Sequence, residues 1–345
     1  MKILVDINHP AHVHYFKNFI WEMKKRGHDV LITASGKDVA YDLLDRYKLN
    51  YINMGTYGKS LIQKLVNIPI MDFKLYNIAY SYKPDIFIGF GSIRCAHVSK
   101  LIKKPCINLD DTEHSVQEHI LYIPFTDAVL TPTCFKKNMG KKHIRYNGYT
   151  ELAYLHPNWF TLNPSVLDEI GLSKDDLFII LRFVSWNASH DIGQHGIKNK
   201  VKLVYELERY GKVIISSEGR LPKELEKYKF KISPEKLHDL LYYATLYIGE
   251  GATTASECAI LGTHAIYINT LRLGYTDEEE EKYKLVFNFS NPKTMEQDAF
   301  NKALELLKDP NLRLKGKIKR DRLLSDKIDV TGFLIDFVEN MIFKA

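Results

Sequence analysis

Residues 247–269 read YIGEGATTASECAILGTHAIYIN, and the order of residue types in this stretch decides the fold. An apolar run ends in Gly249-Glu250-Gly251, a small-residue helix opens at Thr253 and Thr254, Gly262 closes it, and a second apolar run follows at 265–268. Strand, glycine turn, helix, glycine stop and strand make the βαβ unit of a parallel sheet. The helix starts where a strand ends, so its unpaired N–H groups and partial positive charge offer a seat for a diphosphate. The glycines let the backbone turn sharply and approach a ligand closely. Thr253 and Thr254 can add hydroxyl donors, and Glu257, one turn in, can accept hydrogen bonds from a ribose diol. A competing reading uses the same residues: Thr254-x-x-Glu257 has the spacing of a capping box, which would occupy both side chains in finishing the helix.

The alternation extends in both directions. Strands are expected at 2–6, 30–33, 85–90, 105–109 and 128–131, with helices at 14–26, 39–47 and 93–102. After a break at 146–164 (YNGYTELAYLHPNWFTLNP), rich in Asn, Pro, Gly and aromatics, it restarts. Strands follow at 177–183, 212–216, 246–249 and 265–268, and helices at 196–210, 234–244, 254–261, 295–308 and 328–342. The spacing predicts two doubly wound α/β domains, 1–155 and 165–327, joined by 146–164. The last segment, 328–345, is expected to be a helix returning to the N-terminal domain. No repeat of 20–50 residues appears.

Composition removes several classes. At 345 residues and 45% hydrophobic the chain can bury large cores. Four cysteines without a CxxC pair indicate neither a zinc site nor a disulfide framework, which suits reduced thiols in a cytoplasmic protein. No stretch approaches the ~20 apolar residues of a membrane span. Residues 1–160 carry 21 Lys/Arg against 14 Asp/Glu, whereas 161–345 carry 27 against 28. The basic first half allows peripheral contact with anionic lipid or phosphorylated substrates. No basic tract interleaved with aromatics suggests nucleic acid.

In doubly wound sheets ligands bind at the carboxyl ends of the strands. Four further loops at such ends carry chemistry. Residues 6–14, DINHPAHVH, hold His9, His12 and His14, of which at least one is a candidate for acid/base work or phosphate contact. Asp6 is the only nearby carboxylate, too few ligands for zinc, so no metal is expected. Residues 109–115, LDDTEHS, gather Asp110, Asp111, Glu113 and His114. Crowded carboxylates push one another's pKa upward, which suits a general base near neutral pH, although an Asp here can also cap the next helix. Residues 183–193, FVSWNASHDIG, offer Ser185, Asn187 and Ser189 as donors and Trp186 as a stacking ring, and Arg182 just before them can offset phosphate charge. The turn Ser216-Ser217-Glu218-Gly219 can hold a nucleobase edge through Ser217 and Gly219. The acidic run 278–281 reads as a solvated face, while Arg272 and Tyr275 beside it could approach a sugar.

The GEGATTASECAILGT segment resembles the C-terminal nucleotide-sugar motif of GT-B glycosyltransferases and of hydrolysing UDP-N-acetylglucosamine 2-epimerases. From the NHPAH loop to that helix the whole chain is similar to the DUF354 family, itself similar to GT-B enzymes. The resemblance implies a GT-B-like α/β fold of two Rossmann-like domains whose parallel sheets face a central cleft. It implies that the turn at Gly251, Thr253 and Thr254 cradles the diphosphate and that Glu257 holds the ribose. His190 could match a histidine that hydrolysing epimerases place in this domain. In those epimerases an acidic residue of a V-E-A-G-x-R motif acts in catalysis; here DDTEH stands in its place, without the Gly and Arg. The expectation is a glycosyltransferase using a nucleotide-diphosphate sugar, UDP foremost, without metal or added cofactor. Its acceptor would be a saccharide or lipid-linked sugar of surface polysaccharide or glycolipid assembly. A UDP-amino-sugar 2-epimerase or hydrolase is the alternative, and a non-catalytic sugar-nucleotide binder the third.

Overall fold

The apolar runs of the first half form β1 (Lys2–Ile7), β2 (Asp29–Ser35), β3 (Ile52–Gly55), β4 (Ile86–Phe90), β5 (Cys106–Leu109), β6 (Ala128–Pro132) and β7 (His143–Tyr146). They pair in parallel in the order β3-β2-β1-β4-β5-β6-β7. Strands covered on both faces must be apolar almost throughout, and β1 is buried at five of its six positions. The second half forms β8 (Phe178–Phe183), β9 (Lys212–Ser217), β10 (Leu246–Gly249), β11 (Ala265–Ile268) and β12 (Val286–Phe289), parallel in the order β12-β11-β10-β8-β9. Strand order reverses between β1 and β4 in the first sheet and between β8 and β10 in the second. Loops leaving those strands diverge, which opens a crevice at their carboxyl ends.

The computed structural model describes residues 1–37, 39–56, 58, 61–184, 197–217 and 219–343. The chain divides into two units, Met1–Trp159 with Ile328–Ala345, and Phe160–Lys327. In the first, helices Leu61–Tyr82, Ile93–Leu101 and Val116–Tyr122 lie side by side and bury Met71, Leu75, Val98 and Tyr122 against Phe87 and Val129 of the sheet. Helix Pro10–Lys25 packs with the final helix Val330–Phe343 and the short helix Leu152–Leu155. In the second unit, Ile179, Leu181, Phe183, Ile215 and Ile248 form the core under helices Lys200–Leu207 and Met295–Leu307.

Several expectations change. The first helix begins at Pro10 rather than residue 14. Pro10 takes the first helical position, where its missing N–H costs nothing, and His9 caps it by accepting from the Ala11 N–H at 3.2 Å. Residues 146–164 are not mainly a connection: Tyr149, Leu152, Tyr154 and Leu155 are buried in the first unit, and Asn18 and Thr331 both donate to the Ala153 carbonyl. The chain leaves that unit only after Trp159, whose indole donates to Asp329 at 2.7 Å. The acidic run 278–281 is a solvated face only in part: Glu281 is exposed, but the rest is engaged or buried. Glu279 is fully buried under the Ser256 hydroxyl, and Glu278 meets Lys327 and Lys282.

Candidate functional site

In the second unit β8 and β10 are neighbours at the switch point, with Gly249 opposite Arg182. Tyr247 folds its ring back under Gly249, where a Cβ would stand 2.2 Å from the Tyr247 hydroxyl, so only glycine fits there. At Gly251 an added Cβ would meet only ordinary contacts among the described residues, the nearest at 3.8 Å. The helix starts at Ala252, not at Thr254, with Gly251 as N-cap and no side chain capping it among the described residues. Thr254 therefore lies inside the first turn, where it cannot be the capping residue, and the capping-box reading fails. The first N–H groups of a helix have no intrahelical acceptor, so this end presents backbone donors and partial positive charge. Thr253 is half-buried and Thr254 buried behind it.

Arg182 brings a cation to this end. Its Nε lies 3.8 Å from where a Gly251 Cβ would stand, and its Nη1 donates to Ser216 Oγ at 3.0 Å. Ser217 Oγ donates to the Gly219 carbonyl and so closes the turn after β9. Glu257 is buried and accepts from His238 Nε2 at 2.8 Å, so the expected ribose contact shares its carboxylate with an imidazole. Arg272, expected near a sugar, is held by Asp277 and Glu280, and Tyr275 is buried. Ser185, Trp186, Asn187, Ser189, His190 and Glu218 lie outside the described residues.

Sequence reasoning missed Glu250. Its Oε2 accepts from the Val184 N–H at 2.9 Å and its Oε1 from the Ile197 N–H at 2.7 Å, so one buried carboxylate clamps the chain on both sides of residues 185–196. A carboxylate between two glycines at a strand end was the available signal.

In the first unit the switch point is organised by Asp6 at the end of β1. Burial pushes its carboxyl up. The Arg94 charge and hydrogen bonds from Arg94, Ser92 and Thr33 outweigh that and hold it below the usual carboxylate value. His12 accepts from the Asn8 N–H. Burial, then Lys37, lowers its pKa to about 3, so it is neutral at pH 7 and is neither an acid nor a cationic phosphate contact. His14 packs against Tyr47 and Tyr154. Of the three histidines only the half-buried His9 remains at the loop itself.

Asp110, Asp111 and Glu113 come together, all buried, while His114 is exposed. Asp110 is taken up by the Tyr122 hydroxyl at 2.5 Å and the Thr112 N–H at 2.8 Å. Glu113 accepts from the Lys136 N–H. Asp111 accepts from Thr112 Oγ1 at 2.9 Å, and burial together with the adjacent Asp110 pushes its carboxyl up to about 7 against the pull of Thr112 and Thr150. That suits proton transfer near neutrality. Among the described residues no group of three or more His, Cys, Asp or Glu has metal-binding geometry.

Two parallel Rossmann-like units, of seven and five strands, define a GT-B-like protein. The chain belongs to the DUF354 family, described as a protein of unknown function, whose model matches residues 1–329. An uncharacterized protein of Methanocaldococcus jannaschii is 24% identical over 273 residues, 76% of this chain and 80% of the relative. Among solved structures, the UDP-GlcNAc 2-epimerase of Neisseria meningitidis bound to UDP-GlcNAc superposes with a TM-score of 0.70 at 14% identity, covering 100% of both chains. The spinosyn rhamnosyltransferase complexed with thymidine diphosphate gives 0.62 at 13% identity, over 98% of this chain and 100% of that one. The UDP-GlcNAc 2-epimerase of M. jannaschii gives 0.62 at 15% identity, over 93% and 99%.

Proposed function

We propose that the protein is a nucleotide-sugar-dependent glycosyltransferase acting on a saccharide or lipid-linked acceptor, with the donor's diphosphate seated at the start of helix Ala252–Leu261. The observation that carries this reading is the uncapped start of that helix at a sheet switch point, with Arg182 beside it. Backbone N–H groups, Thr253 and Arg182 would stabilise the charge that grows on the departing diphosphate. Structures of the same fold in complex with UDP-GlcNAc and with thymidine diphosphate support the ligand class. In transfer, the acceptor hydroxyl gives its proton to a general base, its oxygen bonds to the anomeric carbon, and the bond from that carbon to the diphosphate breaks, the diphosphate keeping the electron pair.

Epimerisation or hydrolysis of a UDP-amino sugar is the second reading. It is favoured by the place of Asp111 in the loop after β5, where the resemblance to hydrolysing epimerases sets an acidic residue, and opposed by the missing Gly and Arg of their motif. Product analysis with candidate donors and acceptors separates the two. Nucleoside diphosphate released only when acceptor is present means transfer; nucleotide and free sugar without acceptor means the alternative. Asp111→Asn is expected to lower turnover ~100-fold or more with donor affinity unchanged. A donor that binds and is never turned over would overturn both readings.

A further inference from the structure

Helix Leu61–Tyr82 is apolar on both sides. Of its 22 residues only Lys64, Asp72 and Lys74 are charged. Met71, Leu75 and Ala79 face the sheet and are buried. Positions 65, 66, 69, 70, 73, 76, 77 and 80 fall on the opposite arc, ~140° wide and ~23 Å long at helical pitch. None of them is charged, and Val66, Ile70, Phe73 and Tyr80 are 63%, 59%, 67% and 69% exposed. Scattered exposed apolar residues are ordinary, but a continuous stripe marks an interaction surface. On the two helices beside it Leu101 and Ile120 are also largely exposed, at 67% and 68%.

Charge gathers at the same place. Residues 59–104 hold eight Lys/Arg against two Asp; with Arg94 set aside, since it is buried against Asp6, a net +5 is left. Lys83, Lys100, Lys103 and Lys104 are exposed where this helix and Ile93–Leu101 end. The two acids are already engaged: Asp72 lies 2.7 Å from His97 Nδ1, and Asp85 accepts from the Lys2 N–H at 2.8 Å and lies 3.9 Å from Lys104 Nζ. The occupant must therefore be apolar and anionic. A second copy meeting this face would bring the same excess of lysines to it rather than the anionic groups that would offset them. An anionic bilayer offers both an apolar interior and phosphate. Among the described residues no helix is long and apolar enough to cross a membrane, so the contact would lie on the surface.

We propose that the outer face of helix Leu61–Tyr82 docks on an anionic lipid bilayer, its aliphatic and aromatic side chains entering the headgroup layer while Lys83, Lys100 and Lys103 meet lipid phosphates. This stands on the first unit alone and does not depend on the nucleotide reading. The test is co-sedimentation of the full chain with phosphatidylserine–phosphatidylcholine vesicles and with phosphatidylcholine vesicles. Binding is expected to the first and to weaken as salt rises. Ile70→Glu with Phe73→Glu should lower the bound fraction ~10-fold or more. Both sites are largely exposed, so the variant should keep the wild-type circular dichroism and melting temperature; if it does not, Lys100→Glu with Lys103→Glu serves in its place, with the same loss expected. A wild-type chain that ignores both vesicles, or variants that bind as it does, overturns the proposal. So does a wild-type dimer that Ile70→Glu with Phe73→Glu turns into a monomer, because a second copy would then cover the face.

Discussion

Replacing Arg94 by Met should cost the first unit ~3–5 kcal/mol, because it strips the counter-charge from a carboxylate that water cannot reach. Asp6 and Arg94 are both fully buried. Arg94 Nε donates to both Asp6 oxygens at 2.9 Å, Thr33 and Ser92 hydroxyls each donate at 2.6 Å, and Asn8 Nδ2 donates at 2.8 Å. Arg94 also donates to Ser35, so the pair joins the ends of β1 and β2 to the helix after β4. Asp6→Asn alone leaves the opposite charge stranded and should cost a similar amount. The two together should cost less than their sum by ~1–3 kcal/mol, since neither then leaves an unpaired buried charge. Urea unfolding followed by tryptophan emission in a Trp186→Phe background reads the first unit, which holds the remaining Trp21 and Trp159. The sign with pH is also defined. The folded-state pKa of Asp6 lies below its unfolded value near 3.8, so its contribution is complete above that value and disappears as pH falls through the folded one. A cost for Arg94→Met under ~1 kcal/mol, or strict additivity in the cycle, would refute the reasoning.

Glu250→Ala should leave the N–H groups of Val184 and Ile197 without their acceptor, at ~1–3 kcal/mol each, and amide exchange at both should quicken; unchanged exchange would mean that the clamp is idle. Glu279→Gln should flatten the pH dependence of the second unit's melting. Burial, only partly offset by the Ser256 hydrogen bond, pushes the Glu279 carboxyl up to about 8. Stability linked to its neutral form is therefore full below the unfolded value of 4.5 and is lost as pH rises through about 8. Parallel pH profiles for the variant and the wild type would contradict that.

The βαβ rhythm was legible because parallel strands buried on both faces read as apolar runs, and the Gly249-Glu250-Gly251 turn marked where one ended. Helix Leu61–Tyr82 was not legible, since a helix apolar on two sides has no amphipathic period. The start of helix Ala252–Leu261 was placed at Thr254, which left the capping box open, because a glycine N-cap lacks the Ser/Thr/Asp signal that sequence reading looks for. Pairings set by topology were hidden as well. Asp6 finds Arg94 across 88 positions and Glu257 finds His238 across 19, neither at any local spacing. His12 and His14 looked alike in the NHPAHVH loop, yet both lie within helix Pro10–Lys25, where burial neutralises the first and Tyr47 and Tyr154 enclose the second.

A thermal-shift screen of the full chain with UDP-, GDP-, CMP- and dTDP-sugars, repeated with Arg182→Met and Thr253→Val, tests most directly whether the helix start at Ala252 holds a nucleotide sugar. One nucleotide class should raise the melting temperature, since ligand at ~100 times its Kd adds ~2.7 kcal/mol. Arg182→Met should weaken that binding ~10-fold or more by removing a charge-assisted donor. No shift with any class, or a shift that both variants retain in full, would contradict the assignment.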